Sequence, residues 1–331
     1  MSSSSVPIVS VIICLYNKVI EIGRAIDSVI AQSISDFELI IVDGGSTDGS
    51  LDVVTSYNDS RICLIHQKSK GAAAGRNEGI LVTKTDFITF LDADDTWCPD
   101  FLSTVLHLRK NFPDAGAYGT SGYVCINGYY QEANHYGVPD TRWEGYLPSY
   151  FKSMALGDPL VSVSAVAIPK AVFDKIGVFK TCRWFEDIEL FGRIAYYYPI
   201  AYSTYIGSVY YLSSSNKVTD GKPEILEKHP LIEFFESRPE EELKQYKYYD
   251  DLLLYREKLY LTLAGMHIFA EDGARVRDNL SHVHDSVFRI LKIQYLMISY
   301  LPNAILRVLR RSNSKILYSR IYLRKFLKNI S

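Results

Sequence analysis

Four short apolar runs, each halted by a polar or glycine-rich loop, constrain this chain more than any other feature. They span residues 9–15, 37–42, 62–65 and 87–91. Continuous runs of this length read as strands buried on both faces of a parallel sheet. Between the first two, Ile22, Ile26, Val29 and Ile30 recur at helical spacing within 20–32, so the opening stretch reads as a βαβ unit. Sheets of this kind collect ligands in a crevice outside the carboxyl ends of their strands. The loops at those ends are where chemistry is expected.

The fourth run ends in Asp92-Ala93-Asp94-Asp95. Three carboxylates in four positions repel one another unless a cation neutralises them. Hard divalent cations such as Mn²⁺ or Mg²⁺ suit carboxylate and phosphate oxygens together. The loop is therefore a candidate metal site for a phosphorylated ligand; the plainer reading is an acidic turn capping a helix from Pro99 onward. The second run ends in Asp43-Gly44-Gly45-Ser46-Thr47-Asp48-Gly49-Ser50. Its glycines allow positive φ and close backbone approach to a ligand, and Ser46, Thr47 and Asp48 can cap the next helix. It is neither a P-loop, lacking Gly-Lys-Ser/Thr, nor the dinucleotide fingerprint. After the third run, Gly71-Ala72-Ala73-Ala74-Gly75-Arg76-Asn77 sets Arg76 near a helix start, within reach of phosphate or ribose. A solvated arginine beside a structural Asn77 is the alternative.

In this order and spacing the segments resemble the family 2 glycosyltransferases of the GT-A fold. The resemblance covers roughly residues 6–212. It rests on Ser10-Val11-Ile12-Ile13 through Tyr16-Asn17, on Val42-Asp43-Gly44-Gly45-Ser46-Thr47-Asp48, on Gly75-Arg76-Asn77, on Asp92-Ala93-Asp94-Asp95 and on Phe185-Glu186-Asp187. It implies an α/β fold: a Rossmann-like, mixed but mainly parallel sheet flanked by helices, here with a C-terminal helical extension. It also implies an inverting, metal-dependent transfer of a sugar from a nucleotide-diphosphate sugar to a lipid-linked or surface-glycan acceptor.

Carried over by position, Asp94 is the Mn²⁺ or Mg²⁺ ligand of the Asp-x-Asp motif, and Asp92 approaches ribose or metal-bound water. Leu15, Tyr16, Asn17, Asp43 and Gly45 line the nucleotide, with Arg76 near its ribose or diphosphate. Asp187 matches the general base, its pKa raised by like-charge Glu186 beside it, and Trp184 offers the acceptor a stacking face. The plainer reading of Glu186-Asp187 is an acidic helix N-terminus. The chain departs from the family at Gly44, where a second aspartate often contacts uracil. UDP is thus the default nucleotide, with GDP and dTDP open. A nucleotidyl- or phosphotransferase on the same loop lacks its Lys-rich glycine loop near residue 16. A non-catalytic nucleotide-sugar-binding module has no need of both Asp94 and Asp187.

At 331 residues the chain exceeds one comfortable core. Residues 1–115 read as the nucleotide-sugar-binding half and 116–239 as the acceptor-binding, catalytic half with a linker. Residues 240–331 read as a helical region, with helices near 240–272 and 276–300. The net charge of −2 hides an asymmetry. From Ala274 to Ser331 twelve Lys and Arg face only Asp278 and Asp285, a surplus of +10 that leaves −12 on residues 1–273. With Ile290, Ile293, Met297 and other apolar residues interleaved, segment 274–331 reads as an amphipathic anchor for an anionic membrane surface. A tail packed on the acidic domain is the alternative. Nucleic acid is not expected, because the apolar content is too high for an arm that tracks phosphates. Five scattered cysteines without CxxC spacing suit a reducing compartment, and residues 1–5 lack the basic and apolar regions of a signal peptide. The expected location is cytoplasmic, peripheral on the inner face of the cell membrane.

Overall fold

A computed structural model of the chain describes residues 7–133, 135–139, 141–215 and 225–302. The four apolar runs become β1 (Val9–Leu15), β2 (Phe37–Asp43), β3 (Ile62–His66) and β4 (Phe87–Asp92). β1 lies between β2 and β4, and β2 continues to β3, all parallel. Every residue of β2 is buried, as a run without polar alternation demands. β3 ends this path of the sheet and is half exposed. Its Cys63 is exposed there.

Six more strands complete the sheet among the described residues: β5 (Thr96–Trp97), β6 (Ala117–Ile126), β7 (Tyr129–Glu132), β8 (Glu144–Tyr146), β9 (Val166–Pro169) and β10 (Ile200–Tyr211). The order is β3-β2-β1-β4-β9-β6-β10-β5, with β7 on β6 and β8 on β10. β9 is antiparallel to both β4 and β6, whereas β6 and β10 are parallel. The sheet is therefore mixed but parallel around β1. β9 begins only at Val166. Val163–Ala165 form a single 3-10 turn instead, because Ser164 turns aside to the β4 loop: its Oγ donates to Asp95 and accepts from the Asp92 amide.

Helices α1 (Ile22–Ile30), α2 (Ser50–Thr55), α3 (Ala72–Val82), α4 (Phe101–Asn111), α5 (Tyr150–Leu156), α6 (Lys170–Ile176) and α7 (Glu186–Tyr197) accompany the sheet. α1 buries Ile22, Ala25, Ile26 and Val29, and α4 buries Phe101, Leu102, Val105 and Leu108. These join Val11, Ile13, Leu39, Ile41 and Leu91 in one core. At Gly79 of α3 a Cβ would stand 2.7 Å from Ile12 Cγ2, so α3 approaches β1 this closely only with glycine there.

The chain divides into two units, residues 1–222 with 237–251 and residues 223–236 with 252–331. In the first, α9 (Glu240–Lys244) is followed by Tyr246, which stacks on Tyr196 and donates to Ala195 O. The second contains α8 (Pro230–Glu236), most of α10 (Tyr249–Phe269), α11 (Gly273–Ser281) and α12 (Arg289–Ile298). The two long helices expected here are shorter pieces, because caps interrupt them. Asp272 accepts from Arg275 N and starts α11; Glu257 accepts from His284 N and Asp285 N between α11 and α12. Among the described residues no helix is long and apolar enough to cross a membrane.

Candidate active site

The ends of β1 and β2 lie in register, Leu15 beside Asp43, and Gly44 N donates to Leu15 O at 2.8 Å. Asp43, 2% exposed, turns back on its own loop and accepts from Gly45 N and Ser46 N, both at 3.1 Å. Gly45 is at φ 89° and Asn17 at φ 50°. Asn17 ties the two loops together: its amide donates to Ser46 Oγ and its Oδ1 accepts from Thr47 N. Asp48 accepts from Val19 N and Ser50 N, while Gly49 occupies the N-cap of α2. Leu15, Tyr16, Asn17, Asp43 and Gly45 are thus brought to one strand end, with Tyr16 exposed. The space beside Gly44 is filled: a Cβ there would meet Gln67 Oε1 at 3.1 Å and Leu15 O at 3.3 Å.

The three carboxylates at the end of β4 take separate protein partners. Asp92 Oδ1 pairs with Arg76 Nη2 at 2.9 Å. Asp94 Oδ2 pairs with Lys18 Nζ at 2.8 Å, and Asp94 O accepts from Arg24 Nη2 at 2.5 Å. Asp95, 1% exposed, points inward and accepts from Ser164 Oγ at 2.7 Å and Tyr211 N at 3.2 Å. Its burial, then the charges of Asp92 and Asp94, push its carboxyl well above the usual range. Each acid thus has a protein partner, and among the described residues no three His, Cys, Asp or Glu are grouped to hold a metal. The donor set still suits a cation that takes one carboxylate, Asp94, and its other oxygens from phosphate and water, a common mode for Mg²⁺. Lys18 would have to give way to it.

α7 begins beside this loop. Its N-cap, Phe185, is left-handed at φ 66°, an unusual state for a bulky residue. The corner sends Glu186 inward, where its Oε1 accepts from Arg76 Nη1 at 2.9 Å. Burial, then Asp187, raise the Glu186 carboxyl, and Arg76 opposes them. Arg76, expected near ribose or diphosphate, has its guanidinium on two carboxylates. Asp187 is partly exposed and Oδ1 accepts from Ile188 N at 2.8 Å. Trp184 is half-buried, with a buried Nε1 that has no hydrogen-bond partner. Burial pushes the Cys14 thiol up to about 12, so it is inert beside the site.

Sequence reasoning passed over Lys18, Arg24, Ser164 and Tyr211. Lys18 follows Tyr16-Asn17 directly and was a readable signal. Ser164 and Tyr211 lie 69 and 116 positions from Asp95 and carried none. Arg24 also stacks on Tyr211, 3.8 Å from guanidinium carbon to ring centroid.

The profile described as Glycosyl transferase family 2 matches residues 10–177. Among curated proteins, the Escherichia coli UDP-Glc:alpha-D-GlcNAc-diphosphoundecaprenol beta-1,3-glucosyltransferase WfaP is 38% identical over 104 residues, 31% of this chain and 41% of WfaP. The chain covers 32% and 58% of two further relatives, uncharacterized glycosyltransferases of Nostoc and Rickettsia typhi, so it spans less than two thirds of these relatives' lengths. Among solved structures, residues 1–349 of Staphylococcus aureus TarS in complex with UDP-GlcNAc superpose with a TM-score of 0.63 at 16% identity, covering 92% of each chain. The Pyrobaculum calidifontis mannosyltransferase PcManGT, in complex with GDP-Man and Mn²⁺, gives a TM-score of 0.52 at 16% identity over 98% of this chain and 84% of that one.

Proposed function

The chain belongs to glycosyl transferase family 2 and has the GT-A fold, and from that premise we propose that it is an inverting, metal-assisted enzyme. It moves a sugar from a nucleotide-diphosphate donor to a lipid-linked or surface-glycan acceptor. One observation carries the reading. The acidic end of β4, at Asp92, and the N-terminus of α7, at Glu186, are joined by a single guanidinium, that of Arg76 in α3. That tie supports a reading in which Asp187, directly after Glu186, serves the same site as Leu15, Tyr16, Asn17, Asp43 and Gly45, which line the nucleotide.

In this reading Asp187 takes the proton of the acceptor hydroxyl, general-base work that contributes 10²–10⁴-fold. Trp184, half-buried just before α7, offers the acceptor a stacking face. Asp94 holds the cation, which when bound supplies positive charge to the departing diphosphate. The likeness to structures with UDP-GlcNAc and with GDP-Man and Mn²⁺ supports a nucleotide-sugar donor, with UDP the default. WfaP's diphosphoundecaprenol-linked substrate supports a lipid-linked acceptor.

The chain works on an anionic membrane surface at the inner face of the cell membrane, through its second unit. α12 has no fully buried residue and exposes Ile290, Ile293 and Met297 at 44, 47 and 61%. In α11, by contrast, Val276 and Leu280 are buried. The basic residues from Arg307 onward lie outside the described residues.

The test is a melting-temperature screen of UDP, GDP, dTDP, CDP and their sugars, with and without Mn²⁺. A ligand held only by the folded state raises the midpoint. A Mn²⁺-dependent rise for one nucleotide family is expected; no rise for any would remove the donor reading.

A further inference from the structure

Arg76 sits in α3 and is 5% exposed. Its planar fork is fully engaged on its two outer nitrogens. Nη1 reaches Glu186 Oε1 and Nη2 reaches Asp92 Oδ1, each at 2.9 Å. Its guanidinium carbon lies 5.4 Å from the Phe179 ring centroid. A fork of fixed geometry that holds two carboxylates on different elements is a spacer as well as a charge.

We propose that Arg76 is a positioning residue: it sets the separation between the acidic end of β4 and the helix terminus carrying Asp187, and it acts through Asp92 and Glu186 rather than on the donor. The inference rests on the reading of Asp187 as the base. Without the guanidinium, Asp92 and Glu186 face each other as partly buried carboxylates with no shared cation. Glu186 is the first residue of α7, directly before Asp187. The left-handed Phe185 before it leaves the corner little slack. Repulsion of Glu186 from Asp92 therefore moves Asp187, and a displacement of about 1 Å in a catalytic group costs up to roughly 100-fold in rate. Donor affinity, set at the β1 and β2 loops, is spared.

The experiment compares Arg76→Met, Arg76→Lys, Glu186→Gln and the double variant Arg76→Met/Glu186→Gln. Release of nucleoside diphosphate from UDP-, GDP- and dTDP-sugars is followed for each. Arg76→Met should lower kcat by roughly 30-fold or more with donor KM nearly unchanged. Glu186→Gln in that background removes the unpaired charge and should restore several-fold of kcat. Lysine, a point charge unable to span both partners, should fall between. A donor KM that rises more than kcat falls would place Arg76 on the diphosphate and overturn the proposal. So would a double variant no faster than Arg76→Met. Failure of the functional reading would look different, since wild type itself would release no nucleotide. Melting then still decides the tie: Arg76→Met must melt below the double variant, and equal midpoints refute it.

Discussion

Asp187 sits one residue beyond Glu186, yet the two carboxylates meet different surroundings. Glu186 is tied to Arg76, whereas Asp187 is partly exposed. Asp187→Asn should therefore lower transfer by about 10²–10⁴-fold while nucleotide-induced stabilisation persists; full activity in that variant would remove Asp187 from the chemistry. Gly44 lacks the aspartate that often contacts uracil, and Gln67 Oε1 stands against it. Gln67 Nε2 is held by Gly71 O at 2.8 Å, so the amide does not swing away freely. Gly44→Ala should destabilise the fold by about 1–2 kcal/mol through overpacking, read from urea midpoints. Gln67→Ala in the same chain should recover most of that loss, and no recovery would mean that Leu15 O is the true obstacle.

α12 and the end of α10 each carry a feature that belongs to the element rather than to one contact. Ile290, Ile293 and Met297 follow one another at spacings of three and four along α12, and all are exposed. Apolar side chains on one helical face, beside Arg289, suit an interface of headgroups and acyl chains. Ile290→Glu with Met297→Glu should sharply reduce co-sedimentation with vesicles rich in phosphatidylglycerol and leave the melting midpoint within a degree or two, because neither side chain is buried. Undiminished binding would assign the anchor elsewhere. After α10, Glu271 adopts φ 60°. Left-handed backbone at a helix end favours glycine and costs other residues roughly 1–2 kcal/mol. Glu271→Gly should accordingly stabilise the second unit by about 1 kcal/mol.

At the scale of the molecule, the two units should respond differently to acid. His229, fully buried in the second unit, accepts from Leu231 N through Nδ1. Burial pushes its pKa down from 6.5 to about 3. The unfolded chain therefore takes up the proton first. The stability from neutral His229 is complete above pH 6.5 and is lost as pH falls toward 3, at up to about 1.4 kcal/mol per pH unit. Urea unfolding followed between pH 7 and pH 5 should show the second unit weakening on acidification, and His229→Gln should flatten that dependence. A slope that persists in the variant would point to another group. On the proposed function the first unit, which carries the loops at the ends of β1 and β2, should instead respond to donor nucleotide.

The sequence by itself determined the strands, because β1, β2 and β4 are continuous apolar runs whose burial needs nothing beyond the hydrophobic effect. It also marked the strand-end loops, through glycines that tolerate positive φ and acids that suit neither core nor strand. The family motifs likewise singled out Asp43, Asp92, Asp94 and Glu186-Asp187 as candidates. Only the tertiary structure decided which partner each acid meets. Asp92, Asp94 and Asp95 are near-identical neighbours in the chain, yet one is held by Arg76, one by Lys18, and one is turned inward to Ser164 and Tyr211. A charge's role depends on which opposite charge and how much water surround it. Those partners arrive from 16 to 116 positions away, beyond the reach of any local pattern. For the same reason Arg76 reads in sequence as a donor contact and stands in the fold as a bridge between two carboxylates.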